Sequence, residues 1–252
     1  MKILPIFKSH YSLKSILTLS APVGKIDPNY PVSIFDIAQV HNLEKVVVVD
    51  DNISGFLEAS QNAKKYKINL VFGIRFNCIA DITSKSEESL KTLHKIIVFI
   101  KNQQGYFDLL KIWTKAASDG FYYKPNLDLN VLKGMWTNNL VLGIPFYDSF
   151  LFNNTLKGGM CVPDFGFAEP TFFLEKNGLP FDNLAASVVK KYTEANNLKT
   201  IDAKTIYYYK NEDFLSYLTY RCIQERTTLE VPEMDGMCMD TFSFEEWEKL
   251  NQ

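Results

Sequence analysis

The side chains in this 252-residue chain whose types could do chemistry include three histidines, four cysteines and the adjacent carboxylates Asp50 and Asp51. His94 opens an apolar run and is the strongest single candidate for a site. His10 reads as a surface or hydrogen-bonded imidazole, and His41, in a polar loop before a strand, as structural or exposed. Asp50 and Asp51 could hold magnesium as paired carboxylates. On a strand, however, neighbouring side chains point to opposite faces, which makes a solvated turn the simpler reading. Cys78, Cys161, Cys222 and Cys238 show no CxxC spacing, so they fit neither a zinc knuckle nor a dense disulfide framework and read as reduced thiols. The run Tyr207, Tyr208, Tyr209, Lys210 could stack on bases, but strand alternation would bury one or two of its rings, which favours core packing. No Ser-His-Asp order, P-loop or GxGxxG turn is present, so nucleotide hydrolysis and dinucleotide redox chemistry have no support.

These groups must be positioned by an alternating set of elements. Residues 46–49, four consecutive valines, suit a strand buried on both faces. Residues 52–65 read as a helix, 68–72 as a strand ended by Gly73, and 96–100 as another strand. Helical text covers 106–117, 183–196 and 213–224. Such alternation implies an α/β fold with a mostly parallel sheet, either open and doubly wound or closed into a barrel. Loops are expected at 20–31, at 81–88 and at 157–170, where Gly, Pro, Ser and charge concentrate.

Composition narrows the function classes. With 46% hydrophobic residues the chain can bury one large α/β core, and a single domain over 1–252 is the expectation. A formal net charge of -2 argues against broad contact with DNA by this chain itself. Arginine occurs only at positions 75, 221 and 226, leaving few candidates for bidentate base readout. No basic start with a long apolar stretch and no run of about 20 apolar residues occurs, so the chain reads as soluble, unexported and cytoplasmic.

Residues 94–106 read HKIIVFIKNQQGY, Leu109-Leu110 follow, and 120–125 read GFYYKP. This order of a histidine, an apolar strand, a KNxxGY turn, paired leucines and GFYYKP resembles the PHP (polymerase and histidinol phosphatase) domain of bacterial C-family replicative polymerases, the DNA polymerase III alpha subunits. Further similar text lies at 9–13, 52–58, 63–73, 173–175, 212–224 and 243–246. The resemblance implies a distorted (β/α)7 barrel with loop insertions near 20–32 and 80–90.

It also implies a metal centre whose ligand positions can be followed one by one. The family's first H-x-H falls on Ile6 and Lys8, its next acidic ligand on Ser15, and its Asp-His pair on Val49 and Asp50. Its glutamate falls on Arg75, its terminal pair on Thr205 and Tyr207, and a last histidine on Tyr217. An alkyl chain and an ammonium donate no lone pair at neutral pH. Only Asp50 and His94 are left as a residual site, so no metal and no other cofactor is expected. Lys8, Arg75 and Asp50 are expected to form a charge cluster in the metal's place.

By resemblance the chain is expected to be a catalytically inactive PHP-type module of a replication polymerase. It would support or dock the polymerase core or the proofreading exonuclease subunit, and would meet DNA only indirectly. It would be either part of a larger polymerase or a free-standing, phage-encoded copy. Two other readings stay open: a phosphoesterase or nuclease with a site rebuilt around Asp50, Asp51 and His94, and a barrel reused for an unrelated partner.

Overall fold

The computed structural model describes residues 3–12, 15–27, 29–229 and 239–251. Eight strands form one sheet: β1 (Leu4–Phe7), β2 (Lys45–Asp50), β3 (Asn69–Cys78), β4 (His94–Ile100), β5 (Asn126–Leu127), β6 (Leu140–Ile144), β7 (Thr171–Leu174) and β8 (Lys199–Ile206). Their hydrogen-bonding order is β2-β1-β8-β7-β6-β4-β3-β5, and β2 also pairs with β3. Seven strands therefore close on themselves and the two-residue β5 is attached to β3, which gives the expected distorted (β/α)7 barrel.

β1 runs parallel to β2 and β8, and β6 runs parallel to β7, but β4 is antiparallel to both β3 and β6. The reason is local. Residues 79–93, between β3 and β4, carry no α-helix and only the short 3₁₀ turn Glu88–Thr92, whereas a parallel return usually runs through a helix.

Two compact units make up the chain. The first comprises residues up to Phe72 together with those from Asp202 onward, and the second is Gly73–Ile201. The first holds α1 (Ile34–Val40), α2 (Phe56–Tyr66), α7 (Phe214–Glu225) and α8 (Phe244–Asn251) around β1 and β2. Its core includes Phe7, Phe35, the valines of β2, Tyr208, Tyr217 and Phe244, all nearly inaccessible. The second holds α3 (Gln103–Ser118), α4 (Leu129–Met135), α5 (Phe150–Leu156) and α6 (Asp182–Ala195), with Phe76, Ile96, Val98, Leu142, Phe146, Phe150 and Phe172 in its core.

Two boundaries differ from expectation. The strand expected to end at Gly73 runs on to Cys78. Gly73 is there for packing, since a Cβ at this position would stand 2.6 Å from Cδ1 of Phe99 on the neighbouring strand. The helix expected from residue 52 begins at Phe56, because the Asn52 side chain closes a turn instead, accepting from Ser54 N at 2.9 Å. The segments 20–32 and 157–170 carry no helix and no strand beyond an isolated bridge among the described residues.

Candidate functional site

In the first unit the parallel strands β1, β2 and β8 end side by side, which carries Lys8, Asp50 and Tyr207 to one edge. Ile6 pairs in register with Val47 and with Thr205. Ile6 and Val49 are core residues, 4% and 1% exposed. Ser15 is fully buried and donates to the Tyr207 carbonyl at 2.6 Å. The Tyr207 and Tyr217 rings pack with centroids 5.3 Å apart, and Tyr217 also packs on Tyr208. Aromatic core thus occupies two of the positions expected to have lost ligands, and the tyrosine run packs inward at Tyr207 and Tyr208.

Asp50 is fully buried. One carboxylate oxygen accepts from Ser9 Oγ at 2.6 Å, and the other accepts from Ser9 N at 2.9 Å and from Ser12 Oγ. Burial pushes the Asp50 carboxyl up from the usual carboxylate range; the serine hydrogen bonds and the nearby Lys8 oppose the shift without cancelling it. Ser9 and Ser12 are three residues apart on the 3₁₀ turn His10–Ser12, a spacing that returns both hydroxyls to the same side. A Cβ at Gly55 would lie 2.8 Å from Leu19, 2.9 Å from Tyr11 and 3.2 Å from Asp50, so glycine lets the start of α2 approach this cluster. Asn52 adds a bond to the Tyr11 carbonyl at 2.6 Å, and the Tyr11 hydroxyl donates to Glu58 at 2.9 Å.

Lys8, only 2% exposed, pairs with Asp51 at 2.8 Å. In the second unit Arg75 pairs with Asp148 at 2.8 Å, and Lys157 reaches the same carboxylate at 3.3 Å. The expected cluster of Lys8, Arg75 and Asp50 is therefore corrected: each cation takes another aspartate, while serines hold Asp50. The reason lies in the strand geometry. Adjacent residues alternate in direction, so Asp51 and Asp50 have different partners. Asp148 has φ of 59°, a left-handed conformation that aspartate tolerates better than most residues. Burial raises its carboxyl, but the charges of Arg75, Lys157 and Lys95 outweigh that and hold it below the usual range.

His94 starts β4, directly across from Cys78. It is 3% exposed, with Nδ1 at 3.2 Å from the Thr92 carbonyl and 3.8 Å from Cys161 Sγ, while Nε2 is buried without a hydrogen-bond partner. Burial pushes its pKa down. Cys78, Cys161 and Cys222 are free thiols, and Cys238 lies outside the described residues. His10 is half-buried against the Tyr11 ring, centroids 4.3 Å apart. Among the described residues no group of three or more His, Cys, Asp or Glu side chains is arranged to hold a metal ion. Ser9, Ser12, Asp148 and Lys157 escaped the sequence reading as site residues, and the proximity of Cys161 to His94 was not foreseen. Of these only the Ser9–Ser12 spacing beside a strand end gave a signal.

Residues 31–150 match the PHP domain family. Just under half of the chain is thus similar to a PHP domain. The chain is 26% identical over 157 residues to the DNA polymerase III subunit alpha of Aquifex aeolicus, a match covering 58% of this chain and 13% of the relative. The corresponding subunit of Thermus aquaticus is 25% identical over 154 residues, again 58% and 13%. The matched segment is thus about an eighth of the length of these relatives. Among solved structures, an amidohydrolase from Chromobacterium violaceum superposes with a TM-score of 0.47 at 11% identity, covering 82% of this chain and 88% of that one. No helix among the described residues is long and apolar enough to cross a membrane.

Proposed function

We propose that this chain is a noncatalytic PHP-type module of a DNA replication polymerase, a support or docking platform for the polymerase core or its proofreading exonuclease. It would act within a longer polymerase or as a free-standing, phage-encoded copy in the cytoplasm, meeting DNA only through those partners. The relation to polymerase alpha subunits supports the replication context.

The observation that carries the loss of chemistry is the state of Asp50. Both of its oxygens are taken up by donors from Ser9 and Ser12, and burial favours its neutral form. A dication needs ionised carboxylate oxygens or free imidazole nitrogens. The other positions offer the Ile6 and Val49 alkyl groups, the Lys8 ammonium, the Arg75 guanidinium, hydroxyls at Ser15 and Thr205, and two packed tyrosines. This donor set does not fit the family's metal cluster.

Two measurements test the reading. Protein purified with manganese or zinc is expected to carry no stoichiometric metal and to leave single-stranded DNA and p-nitrophenyl phosphate intact. Stoichiometric metal that disappears in Asp50→Ala or His94→Ala would refute the loss of the site. Separately, the purified proofreading exonuclease subunit or polymerase core of a C-family replicase is expected to co-elute with the chain at low salt. Failure of both to do so would remove the docking role.

A further inference from the structure

His41, the C-cap of α1, lies between two groups of the first unit in an order that favours proton transfer. Its Nδ1 is 2.7 Å from Glu248 Oε1 on α8, and its Nε2 is 3.0 Å from the Tyr209 hydroxyl just beyond β8. With Nδ1–H donating to the carboxylate, Nε2 is left as the acceptor for the phenolic proton. Phe244 fixes both rings, meeting His41 edge-on at 4.6 Å and 62° and stacking on Tyr209 at 5.9 Å and 16°. A cavity of about 430 Å³ opens against Tyr209 and Glu248, lined also by Lys210, Glu212 and Glu245.

We propose that Glu248, His41 and Tyr209 form a second reactive centre in which Tyr209 accepts an acyl group from a small, uncharged activated ester. The order carboxylate, imidazole, hydroxyl is that of an activated nucleophile whose base is oriented by a third group. The phenolic oxygen attacks the ester carbonyl carbon, His41 Nε2 takes the phenolic proton, and the carbon–oxygen bond to the leaving alkoxide or phenoxide breaks. The product is an acyl-tyrosine. Burial and the charges of Glu248 and Glu245 push the Tyr209 hydroxyl up, with only Lys210 opposing, so attack requires a base within reach. The donor's charge follows from the lining. The lining holds one cation, Lys210, and three carboxylates, Glu212, Glu245 and Glu248, an excess of negative charge that disfavours phosphoryl and other anionic donors.

p-Nitrophenyl acetate is the probe, with acetylation mapped by mass spectrometry. Tyr209 is expected to be acetylated at least about tenfold faster than Tyr30 and Tyr123, within the usual reach of general base catalysis. Those two are 71% and 74% exposed, so exposure alone predicts the reverse. In His41→Gln the Tyr209 rate falls to that of the exposed tyrosines, and Glu248→Gln causes a smaller loss. Faster labelling of Tyr30 or Tyr123, or an unchanged Tyr209 rate in folded His41→Gln, overturns the proposal. If circular dichroism shows that His41→Gln does not fold, the native protein decides. A Tyr209 rate that reaches its plateau well below the range of phenol ionisation supports the centre, and a rate that tracks phenol ionisation near pH 10 overturns it.

Discussion

Asp50 in the first unit and Asp148 in the second are both poorly exposed aspartates just beyond or at a strand end, yet their acidities move in opposite directions. Burial raises the carboxyl in each case. The difference is the charge of the partners. Neutral serine donors satisfy the geometry of Asp50 without compensating its lost hydration, whereas Arg75, Lys157 and Lys95 compensate Asp148 beyond the cost of burial. Hydrogen-bond count does not predict ionisation state; the sign of the surrounding charge does.

Asp148→Asn should break the comparison with the largest effect. Arg75, whose side chain is 11% exposed, loses its anion. Uncompensated buried charges cost about 3–5 kcal/mol, and the 24% exposure of Asp148 lowers the expectation to roughly 2–3 kcal/mol at pH 7. The folded-state pKa is depressed, so this stability is present above the unfolded value of 3.8 and is lost as pH falls through the folded one. Urea unfolding of both proteins at pH 7 and pH 3 measures it. A destabilisation as large at pH 3 as at pH 7 would show that packing, not charge, holds Asp148.

Asp50→Asn should show the opposite slope. Its folded-state pKa is raised, so the native state holds its proton more tightly than the unfolded chain, and stability declines as pH rises from 3.8 through the folded value. The amide cannot ionise. At pH 4 the substitution is expected to cost about 1 kcal/mol through poorer hydrogen bonding with Ser9 and Ser12. That cost should shrink, or reverse, by pH 8. Parallel pH slopes for native protein and variant would place an ordinary, ionised carboxylate at this position.

The contrast also separates what was legible in the sequence from what was not. The valines of β2, the apolar run of β4 and the long helices were readable because their signal is local, and the text around 94–125 named the fold. Gly73 was misread because its role is set by Phe99, 26 positions away in the chain and adjacent only across the ladder. The direction of β4 was hidden in a connection that lacks a helix. At the site, substitution by residues unable to ligate could be read position by position. Partner choice could not. Asp148 lies 73 residues from Arg75 and takes up a left-handed backbone conformation that no pattern announces.

His94 extends the comparison to a buried base. Its acidity is shifted so that the neutral ring is favoured, so the folded state gives up its proton more readily than the unfolded chain near pH 6.5. Stability should therefore be full above that pH and fall as pH drops through the folded value. His94→Leu removes the titration and the bond to Thr92, but also removes a buried nitrogen that has no partner. A change within about 1 kcal/mol at pH 8 is expected, since losing a buried donor and relieving an unsatisfied atom offset each other. Between pH 6 and 5 the variant should lose less stability than the native chain. Equal losses in that interval would mean that His94 titrates as an exposed histidine does.

The smallest effect should come from the rim of the Asp50 cluster. The Tyr11 hydroxyl donates to Glu58, and that bond, with burial and the carboxylate's charge, raises the phenol's pKa. Glu58 lies on α2, the helix whose start Gly55 brings against Asp50. Tyr11→Phe keeps the ring contact with His10 and loses only the hydrogen bond at a partly exposed site, a cost at the low end of the usual range, about 0.5 kcal/mol. The loss should be the same at pH 6 and pH 8, because the phenol, whose pKa is raised, is neutral throughout. A cost that grew with pH alongside the decline assigned to Asp50 would join the two carboxylates into one titrating unit. In that case charge would be shared across the first unit as it is around Asp148, and the contrast between the two centres would be one of degree.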